Sequence, residues 1–167
     1  STWWLSGGGL DWYADGCLDG TYGTLVAPAA ATNGGIWRVT NTNNIASLTV
    51  TNKTAGDIEL TSCHFDVGRW YPESAEAFTL SVSGDVTADP ALLVVTNLTE
   101  IGWQGTDFDD FDVALTNLAD HTLGAGEAVV LTFDFVKKPE YADVGTFIDN
   151  LALLGEATGG ATLSIID

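Results

Sequence analysis

The amino-acid sequence predicts an all-β fold: a two-sheet antiparallel sandwich, jelly-roll-like, forming a single domain over residues 1–167. Three observations carry this expectation. Val129, Leu131, Phe133 and Phe135 alternate with Val130, Thr132 and Asp134. Phe78, Leu80 and Val82 do the same against Thr79, Ser81 and Ser83, as do Leu48 and Val50 against Ser47, Thr49 and Thr51. Successive side chains on a strand point to opposite faces, so this period of two builds a sheet with one buried face. No stretch carries the spacing of an amphipathic helix. Turn residues punctuate the whole chain, and segments of this kind close into a sandwich or barrel.

Taken in order, Trp3-Trp4-Leu5 reads as a short apolar strand, and Ser6-Gly7-Gly8-Gly9 as a hinge with almost no conformational preference. Residues 1–9 are thus expected to form a detachable strand. Asp15-Gly16 and Asp19-Gly20 are turn dipeptides flanking Cys17. Strands are expected near Tyr22–Val26, Ile36–Thr40, Ala46–Thr51, Asp57–Val67, Phe78–Gly84, Leu92–Leu98, Phe111–Leu115, Ala128–Phe135, Gly145–Leu154 and Thr162–Ile166. Asn33-Gly34-Gly35, Ala55-Gly56-Asp57, Gly84-Asp85, Gly124-Ala125-Gly126 and Gly159-Gly160 mark turns. Within Asp57–Val67 the apolar phase flips between Leu60 and Cys63, which predicts a bulge. Pro72–Ala77 reads as one helical turn, with proline at its start.

Composition narrows the partners. Five basic residues against 23 acidic ones give a net charge of −18, which argues against nucleic acid or an anionic membrane. Charged residues make up only 17% of the chain, below the roughly 25% typical of soluble domains. A surface so poor in charge suits a protein that packs against copies of itself, or one that works outside the cell. The chain has no methionine, which predicts a processed product from which a signal peptide was removed. No run reaches transmembrane length. Cys17 and Cys63 are expected to form a disulfide, as suits an exported protein, stabilising it by about 4 kcal/mol in the chain-entropy view.

Catalysis finds little in the sequence. His64 and His121 are the only histidines, and neither sits in a hydrolase or metalloprotease motif. Cys63 and His64 are adjacent on a strand and so project to opposite faces, which rules them out as a nucleophile–base pair. Asp107-Phe108-Asp109-Asp110-Phe111-Asp112 is the densest acidic run, and Asp107, Asp109 and Asp110 are candidate oxygen ligands for a structural calcium ion. Trp70, Tyr71 and Trp103 lie in turn-rich segments, where aromatic faces can stack on a sugar ring or a neighbouring subunit. Arg69 beside them could orient a ligand hydroxyl or carboxylate. Asn52-Lys53-Thr54 and Asn97-Leu98-Thr99 match the N-glycosylation sequon.

From Ile45 to Gly155 the order of features resembles exported bacterial β-sandwich domains of surface and polysaccharide-associated proteins. The likeness rests on Leu60, Phe65-Asp66 and Arg69, then on Phe78-Thr79-Leu80-Ser81-Val82-Ser83 and Asp112-Val113-Ala114-Leu115. It continues through Gly126-Glu127 and Leu131-Thr132-Phe133, and closes on Gly145-Thr146-Phe147-Ile148-Asp149-Asn150-Leu151-Ala152-Leu153-Leu154-Gly155. That last segment is similar to the final strand of jelly-roll carbohydrate-binding modules. The resemblance implies that Asp149 can join a calcium site.

Two functional expectations follow. The first is a non-catalytic, extracellular structural subunit that self-assembles into a filament or layer, its Trp3-Trp4-Leu5 strand entering the sheet of the next copy. Head-to-tail contacts of this kind give open polymers unless rotation closes a ring. The second is a carbohydrate-binding module using Arg69, Trp70, Tyr71 and Trp103 on a polysaccharide.

Overall fold

Eleven β-strands and one 3₁₀ turn are the regular elements of the computed structural model, which describes residues 9–11, 36–40, 43–102, 107–136, 138–141, 144–157 and 162–166. In chain order the strands are β1 (Gly9–Asp11), β2 (Ile36–Thr40), β3 (Ile45–Thr51), β4 (Ile58–Arg69), β5 (Phe78–Gly84) and β6 (Asp89–Val95). They continue as β7 (Asp109–Ala114), β8 (Thr122–Leu123), β9 (Ala128–Phe135), β10 (Gly145–Ala157) and β11 (Thr162–Ile166). The larger sheet runs β1-β2-β10-β4-β7, with β11 beside β10 and β8 beside β4; the smaller runs β3-β9-β5-β6. Every pairing between strands is antiparallel. The two sheets, with the strand orders 2-10-4-7 and 3-9-5-6, give the paired Greek keys of a jelly roll. The expected fold class is the observed one.

The alternating segments supply the core as the period of two requires. Val129, Leu131, Phe133 and Phe135 of β9 lie beside Phe78, Leu80 and Val82 of β5 and Ala46, Leu48 and Val50 of β3, all buried. The facing sheet contributes Cys63, Phe65 and Val67 of β4, Val113 of β7, and Ile148, Leu151 and Leu153 of β10. Phe65 is the pivot between them. Its ring meets Phe133 edge-on at 4.9 Å and stacks on Phe111 at 5.3 Å, both within the favourable range for aromatic pairs.

Two irregularities set which side chains face this core. The expected phase flip in β4 is a register shift: Ser62 pairs with Leu154 and Leu60 with Gly155, so Thr61 is the extra residue. In β10, Asp149 pairs with Asp66 but Ala152 pairs with His64, which leaves Asn150 and Leu151 together against Phe65. Strict alternation would put Asp149 on the same face as Leu151 and Leu153. The bulge turns Asp149 outward and the two leucines inward, with Asn150 adopting a left-handed φ of 48°.

Several boundaries differ from the sequence reading. β6 begins at Asp89 rather than Leu92 and tolerates Pro90, because it is an edge strand with no ladder to complete on its outer side. Leu98, expected at its end, instead fills the core from the following loop. Pro72–Ala77 is not helical: Ser74 donates its N–H to the Tyr71 carbonyl in a turn, and the one 3₁₀ turn among the described residues is Pro139–Tyr141. The expected strand Tyr22–Val26 lies outside the described residues.

Cys63 corrects the disulfide expectation. It is a free thiol at 0% exposure between the sheets, because its strand position points it into the core; Cys17 lies outside the described residues. Burial, reinforced by the nearby Asp112 carboxylate, pushes the thiol up from 9.0 to about 12. A raised folded value means the protonated thiol's contribution is complete below pH 9.0 and is lost as the pH climbs toward 12. Stability should therefore fall across that alkaline window, and iodoacetamide followed by peptide mapping should label Cys63 only in denaturant.

Asn52, the first residue of one sequon, is also interior. Its side-chain amide donates to the carbonyls of Gly56 (2.7 Å), Leu123 (2.9 Å) and Gly124 (3.1 Å), clamping the turn after β3 to the end of β8. Asn52→Ala should cost about 2–3 kcal/mol in urea unfolding, because it strands buried carbonyls. Tryptic mapping should find Asn52 unglycosylated.

Candidate functional site

The outward face of β4 carries the least expected chemistry in the molecule. Cys63, Phe65 and Val67 point into the sandwich, so His64, Asp66 and Gly68 point away from it. Cross-strand register then lines up Asp149, Asp66 and Asp110 in one row across β10, β4 and β7. The next row along is Ala152, His64 and Asp112. Like charges opposite one another on a sheet are destabilising, yet three carboxylates share this row. Two of the side chains are fully enclosed as well: His64 and Asp66 are both at 0% exposure.

A small apolar lid closes one end of this face. Trp70 and Phe147 pack with ring centroids 4.1 Å apart, and Phe108 and Ile101 complete the cluster. Gly68 lets the lid approach: a Cβ there would come within 2.8 Å of Ile101 and 2.9 Å of Phe108. Ile101 is held in turn by its N–H donating to the Arg69 carbonyl at 2.9 Å.

Within the site, both buried polar side chains are held in place. The His64 Nδ1–H donates to Asp112 Oδ1 at 3.0 Å, since a carboxylate can only accept. Asn150 Nδ2 donates to Asp66 Oδ2 at 2.7 Å, which turns the other oxygen, Oδ1, to 3.1 Å from His64 Nε2. The two buried side chains thus face each other at close polar distance. Asn150 reaches Asp66 from the bulge of β10, where its backbone N–H also donates to Asp149 Oδ1 at 2.8 Å. One ligating atom each from His64, Asp66 and Asp110 fall within 4.8 Å of one another.

The residues expected to bind from sequence alone are distributed differently. Asp109 and Asp110 are neighbours on β7 and project to opposite faces, so no single ion meets both. Asp109 Oδ2 instead accepts the Thr99 N–H at 2.7 Å, and Asp107 stands exposed ahead of the strand. Asp110 and Asp149 do share a row, with Asp66 between them. Trp70 is buried at 5% exposure in the lid, so its face is spent on Phe147. Arg69 donates Nε–H to the Leu98 carbonyl at 2.9 Å and Nη1–H to the Pro72 carbonyl at 3.2 Å, fastening two loops. Tyr71 remains exposed. Trp3, Trp4, Leu5, Cys17 and Trp103 lie outside the described residues. Sequence reading missed His64, Asp66 and Asn150. The signal was present as His64-x-Asp66 and Asp110-x-Asp112, two i, i+2 pairs that strand geometry puts on one face.

A second feature lies along the open side of the sandwich. β6 ends the smaller sheet and β7 the larger, and among the described residues no further strand pairs with either outer edge. The groove between them has a volume of about 340 Å³ and is lined by Leu92, Leu93, Val113 and Leu118, with Asp89 and Asp112 also lining it. Val94 projects from β6 at 58% exposure. At the other edge of the larger sheet, β1 pairs with β2 through Gly9, Leu10 and Asp11.

No protein-family model and no curated protein matches this chain. The reading therefore rests on its own residues. A structural role for Trp70 makes a clear prediction: Trp70→Ala should lower stability by about 3 kcal/mol, while Trp70→Phe keeps most of it, as read from urea midpoints with unchanged slope.

Proposed function

We propose that this chain is a non-catalytic, extracellular structural subunit that self-assembles by strand donation, residues 3–5 of one copy entering the open side of the next. The supporting observation is the placement of donor root and acceptor. Trp3-Trp4-Leu5 precedes β1, which forms one edge of the larger sheet, while the groove between β6 and β7 lies at the opposite edge. Donor and acceptor on opposite sides make a heterologous contact, which propagates from copy to copy.

The chemistry of the groove fits such a strand. Among the described residues no strand pairs with the outer edges of β6 and β7, whose main-chain groups would supply a hydrogen-bonding ladder, and the leucines and Val113 offer apolar lining for two tryptophans and a leucine. The net charge of −18 opposes association, so assembly should strengthen with salt as repulsion is screened. The glycan-binding reading finds less support. Trp70 and Arg69 are occupied within the fold, and Tyr71 alone of its four residues is described and exposed.

Deleting residues 1–8 removes the donor segment and leaves β1 whole. The full chain should form large particles in light scattering and negative-stain micrographs at moderate salt, and the truncated chain should remain monomeric. Polymers of the truncated chain would overturn strand donation, and a monomeric full chain would overturn assembly.

A further inference from the structure

We propose that His64, Asp66 and Asp110 form a binding site for a single borderline divalent transition ion, of which zinc is the reference case. The donor set favours such an ion. Imidazole nitrogen suits zinc and its transition-metal neighbours, whereas calcium takes six to eight oxygens. A site centred on a histidine and two carboxylates therefore selects against the calcium ion that the acidic run alone suggests.

The geometry agrees. Zinc–nitrogen and zinc–oxygen bonds of about 2.0–2.2 Å place tetrahedral ligand atoms roughly 3.3 Å apart. His64 Nε2 and Asp66 Oδ1 lie at 3.1 Å, and the Asp110 carboxylate completes a group within 4.8 Å. His64 and Asp66 are fully buried while Asp110 is exposed, so an ion would be held on its inner side by His64 and Asp66 and reached from the β7 side.

The outer support is that of a metal site. A ligating histidine almost always passes its second ring N–H to a carboxylate or carbonyl, which fixes the tautomer and raises the basicity of the ligating nitrogen. Here Asp112 accepts the hydrogen bond from Nδ1–H, and Nε2 faces Asp66. Asn150 does the equivalent for the carboxylate by holding Oδ2 and presenting Oδ1. A bound cation there would meet the negative charge of both Asp66 and Asp110.

The test uses the full chain, freed of metal by a chelator and dialysed at physiological ionic strength. Zinc, calcium and magnesium are each titrated alone by calorimetry and by thermal denaturation. One zinc per chain should bind and raise Tm, with magnesium and calcium far weaker. Asp110→Asn, which relieves like-charge repulsion in its row, should not lower the metal-free Tm and should weaken zinc by about 100-fold; Asp112→Asn should weaken it by about 10-fold. Cobalt(II) alone should give visible absorption bands of nitrogen and oxygen ligation that Asp110→Asn abolishes, a readout that does not depend on a folded His64 variant. Any of three results would overturn the proposal. These are no stoichiometric zinc, zinc binding indifferent to Asp110→Asn, or equal affinity for all three ions, which marks only a charge atmosphere around an acidic protein.

Discussion

The pairing of β4 with β10 is the constraint on which the rest of the molecule depends. These are the two longest of the described strands, and they meet over nearly their whole length at the centre of the larger sheet. Their register decides three things together. It sends Phe65 and Cys63 into the sandwich, it sets Asp149 beside Asp66, and it brings Phe147 opposite Gly68 to found the lid. A slip of one residue would exchange the two faces and place His64 and Asp66 in the apolar core. The bulge at Asn150 prevents this by reconciling an outward aspartate with two inward leucines just beyond it.

Because β4 is flanked on both edges and covered on both faces, it behaves as a central strand in the fullest sense. Apolar packing against the other sheet covers one face. The other carries the lid around Trp70 and a polar network in which Asp112 and Asn150 orient His64 and Asp66. Buried networks of this kind are costly unless each member is matched, and they tend to specify one arrangement. That arrangement draws on β4, β7 and β10 at once, so the outer face also ties together three strands distant in sequence.

Much of the architecture was legible in the sequence because alternation is a local signal. β5, β9 and β11 have the predicted bounds, and the phase flip in β4 announced its bulge. Edge strands read less well: the apolar run Leu92–Leu98 suggested a strand three residues late, since Leu98 is hydrophobic for a reason of its own. The site was less legible than the fold. Clustering along the chain singled out Asp107, Asp109 and Asp110, but on a strand immediate neighbours diverge and only alternate residues converge. The pairs His64-x-Asp66 and Asp110-x-Asp112 are local, but their meeting with each other and with Asn150 is set by cross-strand register, which no local pattern encodes. Trp70 and Arg69 illustrate the same limit, since turn-rich surroundings suggested exposure whereas Ile101 and Phe108 pack with Trp70 and the Leu98 carbonyl engages Arg69.

The jelly-roll topology also dictates how this chain must come to be folded. Ile58 pairs with Ala157 and Ile45 with Asp134, so neither sheet can be completed until the last third of the polypeptide is present. Long loops have to close before any of these contacts repays the lost chain entropy, which places the molecule among slow, non-local folders. During that delay the half-built sandwich displays bare apolar strands, and the dense negative charge that hinders association becomes a safeguard against clumping on the way to the finished form.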